Sequence, residues 1–361
     1  MAYGEPGFLL TRYEDVKTVL GDTRFGRSHG EGRDQPRTTP EIYPLGMIGM
    51  DGPEHTRLRR FLAKSFTARR AEEQRAATES LANSLIDNLV ASGPPADLVE
   101  HVADQLPMGV LCQLLGVPPA DREVFHASAN VLMYKEDEGR EERMEKFKNL
   151  TAHITSLINK RRAESSHDLI SELVLARYED QGLSEEELVD VCLTVLAGGY
   201  ESTSNQIGNF VYLLLTHPDQ MALLRERPEL LNGAVEELLR FAPLAVYADF
   251  PRYASCPATL SGGPVTAGQP LLTSISAANR DPRVYEDPES LEVTRQAGNH
   301  LSFGHGAHYC TGAALAGMVL QVAIGTLIDR IPDLRLAVGA DDIRWKTGPL
   351  FRGPVALPVT W

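Results

Sequence analysis

Residues 303–312 read Phe303-Gly304-His305-Gly306-Ala307-His308-Tyr309-Cys310-Thr311-Gly312, a cysteine in a glycine-cut loop directly ahead of the apolar run Ala313 to Leu327. Glycines at 304, 306 and 312 permit dihedrals that other residues resist and let backbone come close to a flat ligand. The following run predicts a helix with Cys310 at its amino-terminal end, where the dipole favours negative charge and helps keep a sulfur ionised. A thiolate so presented suits a heme iron, which needs one strong donor from the protein, with loop N–H groups as hydrogen-bond donors to the sulfur. Taken alone, the loop also fits a buried cysteine before an ordinary packed helix.

The 361 residues are long enough for two domains, yet no linker divides them, so one unit spanning 1–361 is expected. A net charge of -14 argues against nucleic acid as a partner. Basic residues still cluster at Arg57, Arg59, Arg60, Lys64, Arg69 and Arg70, either a solvated helix face or a docking face for an acidic redox protein. Cys112, Cys192, Cys256 and Cys310 form no Cys-x-x-Cys pair, which argues against structural zinc and a disulfide framework. No basic-then-apolar leader and no run of 18 apolar residues appear, so no membrane is expected and the cytoplasm is the expected location. The absence of a coiled-coil repeat favours a monomer.

Phe8 to Thr11 reads as extended and Tyr13 to Leu20 as a short helix. Gly26 to Met50 reads as a long loop of the kind that serves a site, and Asp51-Gly-Pro-Glu-His starts a further helix. His101 to Leu115 is an apolar helical run, and Asp121 to Lys160 suggests charged helices joined near 136–139. Ser184 and Glu187 have capping-box spacing, opening a long central helix to Thr216 that Gly198 and Gly199 interrupt. Adjacent glycines there suggest close approach of a ligand or a local opening. Short strands are expected from Val246 to Thr273 and again after Asp333.

Segment 303–312 resembles the cysteine-ligand signature of the cytochrome P450 family, Phe-Gly-x-Gly-x-His/Arg-x-Cys-x-Gly, and matches every fixed position. The resemblance implies a mainly α fold with a smaller β region, the triangular heme-thiolate architecture, and one heme b bound through Cys310, Phe303 and Gly312. His55, Arg59, Arg252 and His308 match positions that hold the heme propionates. Glu237-Leu-Leu-Arg240 matches the Glu-x-x-Arg pair that supports the proximal side; Ser290 stands where many relatives have its partner arginine, leaving Arg295 as a candidate. Gly198-Gly199-Tyr200-Glu201-Ser202-Thr203 is similar to the oxygen-activating segment, with Glu201 as the acid, Ser202 in the usual threonine place and Thr203 beside it. Gly317 replaces a usual arginine after the cysteine, and the amino-terminal lead-in is shorter than relatives generally carry.

The same resemblance implies O2-dependent hydroxylation or epoxidation of an apolar secondary metabolite, such as a polyketide or peptide, free or carrier-bound. Electrons would come ultimately from NAD(P)H through a ferredoxin reductase and a ferredoxin. Tyr43, Met47, Val195, Leu196, Gly199, Leu244, Val246, Tyr247 and Phe351 are candidate pocket residues, although Val195 and Leu196 suit the core equally well. Oxidative carbon–carbon or carbon–oxygen coupling is a second activity compatible with the heme loop, and a non-enzymatic heme sensor a third.

Overall fold

Amphipathic and apolar runs fold here into a helical body flanked by small sheets. The computed structural model describes residues 3–37, 46–129, 131, 140–178, 182–245, 250–346 and 351–361. The helices are α1 (Tyr13–Gly21), α2 (Gly52–Ala63), α3 (Ala68–Glu73), α4 (Arg75–Ser92), α5 (Gln105–Leu115), α6 (Arg122–Ala129) and α7 (Arg140–Ala163), then α8 (Leu169–Ala176), α9 (Glu185–Gly199), α10 (Glu201–Thr216), α11 (Pro218–Glu226), α12 (Leu231–Phe241), α13 (Ile275–Ala278) and α14 (Ala313–Arg330). The architecture is mainly α with a smaller β region, as the sequence implies.

The main hydrophobic core runs through α4, α5, α8, α9, α10, α12 and α14, with Ile86, Leu196, Ile207, Phe210 and Leu238 losing all exposure. α14 has 18 residues with a mean hydropathy of 1.4, enough by length and composition to cross a membrane. Gln321, Asp329 and Arg330 interrupt its apolar run, half of it is buried, and it packs on α3, α4, α10 and α12.

Strands β1 (Phe8–Leu10), β2 (Phe25–Gly26), β3 (Ala96–Asp97), β4 (Arg252–Ala254), β5 (Ala258–Leu260), β6 (Gly263–Val265), β7 (Pro270–Thr273), β8 (Arg335–Leu336) and β9 (Pro358–Thr360) form three sheets. Their orders are β1-β7-β4-β2, β3-β9-β8 and β5-β6. In the first, β2 runs antiparallel to β4 with Phe25 opposite Ala254 and Gly26 opposite Tyr253. That ladder carries the segment before α2 up to Arg252.

Two expectations change. The run from His101 begins inside a wide helical turn, Val99–Ala103, before α5 starts at Gln105. The long central helix is two helices, because Tyr200 takes φ -81 and ψ -75 where α9 ends and α10 begins. Its start is as read: Ser184 accepts from the Glu187 N–H at 3.1 Å, and Glu187 accepts from the Ser184 N–H at 2.8 Å.

Candidate active site

The cysteine loop is tied down from α12. Glu237 and Arg240, one helical turn apart and fully buried, pair through Nε to Oε2 at 2.6 Å and Nη2 to Oε1 at 2.7 Å. Arg240 Nη1 donates to the carbonyls of Asn279 and Pro288, both at 2.9 Å. Arg295 Nε donates to Glu237 Oε1 at 3.1 Å, so Arg295 supplies the third member of this group where Ser290 offers only its carbonyl. Asn279 carries the restraint onward: its side chain accepts from the Leu301 N–H and donates to Ser302 Oγ, both at 2.8 Å. Ser302 Oγ in turn donates to the Leu239 carbonyl of α12 at 2.7 Å.

Within the loop, the Cys310 N–H donates to the Phe303 carbonyl at 2.8 Å, folding the segment back on itself. Gly304 and Gly306 have φ of +74° and +73°, and a Cβ on Gly306 would lie 2.6 Å from Gly21 Cα. Gly312 differs from expectation. Its φ of -87° suits any residue, and it serves as the residue capping α14, while its N–H acts to lower the Cys310 thiol pKa. Burial raises the Cys310 thiol; that N–H and the nearby Arg59 charge pull the other way and do not overcome it. The helix start alone therefore does not keep the sulfur ionised, and coordination to a metal would.

The other predicted contacts converge on one region. The His55 and His308 rings lie 4.1 Å apart between centroids, and His308 Nε2 lies 3.3 Å from Asp51 Oδ1. Arg59 Nη2 donates to the Tyr309 carbonyl, beside the cysteine. Arg252 is buried, with Nη1 3.3 Å from the Phe25 carbonyl, while its Nε and Nη2 have no partner among the described residues. Burial lowers the His55 pKa, and Arg59 adds to the effect; burial also pushes His308 down to about 4, against the Asp51 hydrogen bond.

Asp51 was legible only as a helix start. Its side chain makes no capping bond; it accepts instead from His308 and from the N–H groups of Arg27 and Ser28 at 2.6 and 2.7 Å. Burial alone would raise the Asp51 carboxyl, but those bonds hold it well below the usual carboxylate range. Of the basic cluster, Arg57, Arg69 and Arg70 pair with Glu187, Glu73 and Glu172.

At the α9–α10 break, Glu201 and Thr203 are buried, whereas Ser202 is half-buried and donates from Oγ to the Gly198 carbonyl at 2.6 Å. Ala197 and Gly198 are exposed, and among the described residues nothing lies within 4 Å of where a Gly198 Cβ would stand. A Gly199 Cβ would meet Leu111 at 3.1 Å, so that position is held small. Tyr200 Oη lies 3.0 Å from His126 Nε2, linking the break to α6. Met47, Val195 and Leu196 are buried members of the main core. Leu244 and Phe351 are half-buried and brought together, since the Arg352 N–H donates to the Leu244 carbonyl at 2.6 Å. Tyr43, Val246 and Tyr247 lie outside the described residues.

The family model described as Cytochrome P450 matches residues 123–331. Mycinamicin IV hydroxylase/epoxidase of Micromonospora griseorubida is 48% identical over 359 residues, covering 99% of this chain and 90% of that protein. The chain is a cytochrome P450. Nocardicin C N-oxygenase of Nocardia uniformis subsp. tsuyamanensis is 45% identical over 363 residues, covering 100% of this P450 and 91% of that protein. A solved structure of the mixed-function P450 MycG superposes with a TM-score of 0.96 at 47% identity, covering 100% and 92% of the two chains. As a P450, the enzyme is a heme-thiolate monooxygenase.

Its residues fit that cofactor. The loop offers one cysteine sulfur whose thiol pKa the Gly312 N–H and the Arg59 charge act to lower, and Arg252 presents two buried nitrogens without a partner among the described residues, a costly arrangement that an acidic group would relieve.

Proposed function

We propose that this P450 hydroxylates or epoxidises an apolar secondary metabolite, such as a polyketide or peptide, free or carrier-bound. It would use O2 and electrons passed from NAD(P)H through a ferredoxin reductase and a ferredoxin. Cys310 would hold the heme iron, with Phe303 and Gly312 framing the sulfur, and His55, Arg59, Arg252 and His308 would hold the propionates. The heme, when bound, supplies the oxygen-activating and oxygen-transferring chemistry.

The chain's own part in distal proton delivery falls to the α9–α10 break. Ser202 Oγ, now donating to the Gly198 carbonyl, can turn from that bond and pass a proton from its hydroxyl. Buried Glu201 is the neighbouring acid, and Thr203 is turned into the protein. Leu244 and Phe351 supply an apolar wall, with Tyr43, Met47, Val195, Leu196, Gly199, Val246 and Tyr247 as the other candidates. Residues 1–361 would act as one catalytic domain, a cytoplasmic monomer.

The observation that carries oxygen insertion is the hydroxyl of Ser202 on the open side of the break beside a buried carboxyl. Its test is turnover with a ferredoxin system, NAD(P)H and O2, starting with mycinamicin IV as substrate because a relative with 48% identity carries that name. A product one oxygen heavier supports the reading. A product that has lost two hydrogens and gained no oxygen moves the enzyme to oxidative coupling.

A further inference from the structure

Arg27 lies one residue beyond β2. Phe25 faces Ala254 and Gly26 faces Tyr253, and the ladder ends there because Arg27 turns helical at φ -93° and ψ -37°; Arg252 reaches to this end, with Nη1 3.3 Å from the Phe25 carbonyl. Like charges brought close repel, and the Arg252 charge bears on Arg27. Neither guanidinium makes an ion pair among the described residues, because Asp51 spends its oxygens on His308 and on backbone N–H groups.

The Arg27 side chain is fixed. Nη1 donates to the Ile48 carbonyl at 2.7 Å, and the guanidinium carbon stands 5.0 Å from the centre of the Phe250 ring. Its Nε is buried without a partner among the described residues, as are Nε and Nη2 of Arg252. Three guanidinium nitrogens without partners among the described residues, on two neighbouring arginines, are unfavourable unless something acidic comes between them. Burial and the neighbouring Arg252 together push the Arg27 guanidinium down to about 9. His55 lies within electrostatic reach of Arg59, Asp51, Arg27 and Arg252, so all four belong to one field. Arg59 and Arg252 against Asp51 leave a charge of +1; adding Arg27 makes it +2, matching the two carboxylates of a heme.

We propose that Arg27 is a further cation of the propionate cradle, sharing with Arg252 the grip on a heme carboxylate across the end of the β2–β4 ladder. Sequence reading misses it because Arg27 sits in a loop among other charged residues, and only the folded β2–β4 ladder brings its end close to Arg252. The inference rests on the heme assignment and adds a positioning residue to it.

The test is release of heme to excess apomyoglobin from wild type, R27Q and R27K, each loaded with heme or with its dimethyl ester, in which both carboxylates are blocked. Loss of a charge-assisted contact should make R27Q release heme on the order of tenfold faster than wild type, with R27K in between. With the dimethyl ester, all three should release at the same rate within about twofold, since the partner charge is gone. If R27Q does not fold, the R27K comparison reads the same difference. Equal acceleration for heme and ester would mean that Arg27 acts only through Ile48 and Phe250, and unchanged release of heme from R27Q would also overturn the proposal. Failure of the wild-type protein to take up heme would instead remove the cofactor assignment on which it rests.

Discussion

Arg252 has two buried nitrogens without a partner among the described residues and stands in a strand fixed on both edges, so its replacement reports on the cradle with little else disturbed. Arg252→Ala is expected to speed heme release by roughly 10- to 100-fold, since charge-assisted hydrogen bonds contribute about 1.5–3 kcal/mol each. The thiolate spectrum should persist, because Cys310 is untouched; an unchanged heme affinity in a titration would remove Arg252 from the cradle. Ser202 gives a second reading at this scale. Ser202→Ala should raise peroxide released per product formed, and undiminished coupling would move the relay away from this hydroxyl. His55, Arg252, His308 and Cys310 were legible because each sits in a short motif with fixed spacing. Asp51 was not, because its partners lie 24 and 257 residues away and no local pattern joins them.

Elements explain why some positions tolerate change and others do not. In the cysteine loop, Gly306→Ala combines a left-handed φ with a clash at 2.6 Å and should cost more stability than Gly304→Ala, where φ is +74° but the nearest atom is 3.7 Å away. Gly304→Ala should cost about 1–2 kcal/mol. Gly312→Ala, with φ -87° and Phe66 at 3.9 Å, should stay within about 0.5 kcal/mol, all three read from urea unfolding midpoints. A costly Gly312→Ala would mean that the loop packs more tightly than its backbone indicates. Arg240→Ala takes from buried Glu237 its two-nitrogen partner, leaving Arg295 Nε and the Glu292 N–H, and strips the donors from the Asn279 and Pro288 carbonyls; it should cost about 3 kcal/mol, whereas Arg295→Ala leaves the Glu237–Arg240 pair intact and should cost less. The i, i+3 spacing made Glu237–Arg240 visible in the sequence. Arg295 reaches Glu237 only through the path of the loop at 286–295, which no periodicity sets. The α9–α10 break was signalled by Gly198-Gly199, but its exact residue, Tyr200, depends on tertiary contacts such as the bond to His126.

The whole molecule buries Cys112 and Cys192 inside the helical core, and burial raises their thiols to about 11 and about 12. At pH 8 their thiolate fractions are then on the order of one in a thousand and one in ten thousand. Both should resist iodoacetamide in the native protein and react only on global unfolding, whereas half-exposed Cys256 should be alkylated first; mass mapping of labelled peptides checks the order, and early labelling of Cys192 would contradict the packing. The division into a helical body and small sheets was readable from periodicity, since 3.6-residue and two-residue patterns separate cleanly here. Sheet order was not, because β1 pairs with β7 across more than 260 residues. Above these details stands the assignment of Cys310 as the ligand of a heme-thiolate monooxygenase. The direct measurement is the absorption spectrum of the reduced carbon monoxide complex of wild type, C310A, C112A, C192A and C256A. The band at the long-wavelength position typical of thiolate ligation should appear in wild type and in the last three variants, and vanish in C310A together with monooxygenation. A wild-type protein without heme, or a band that survives C310A and disappears with another cysteine, would contradict the assignment.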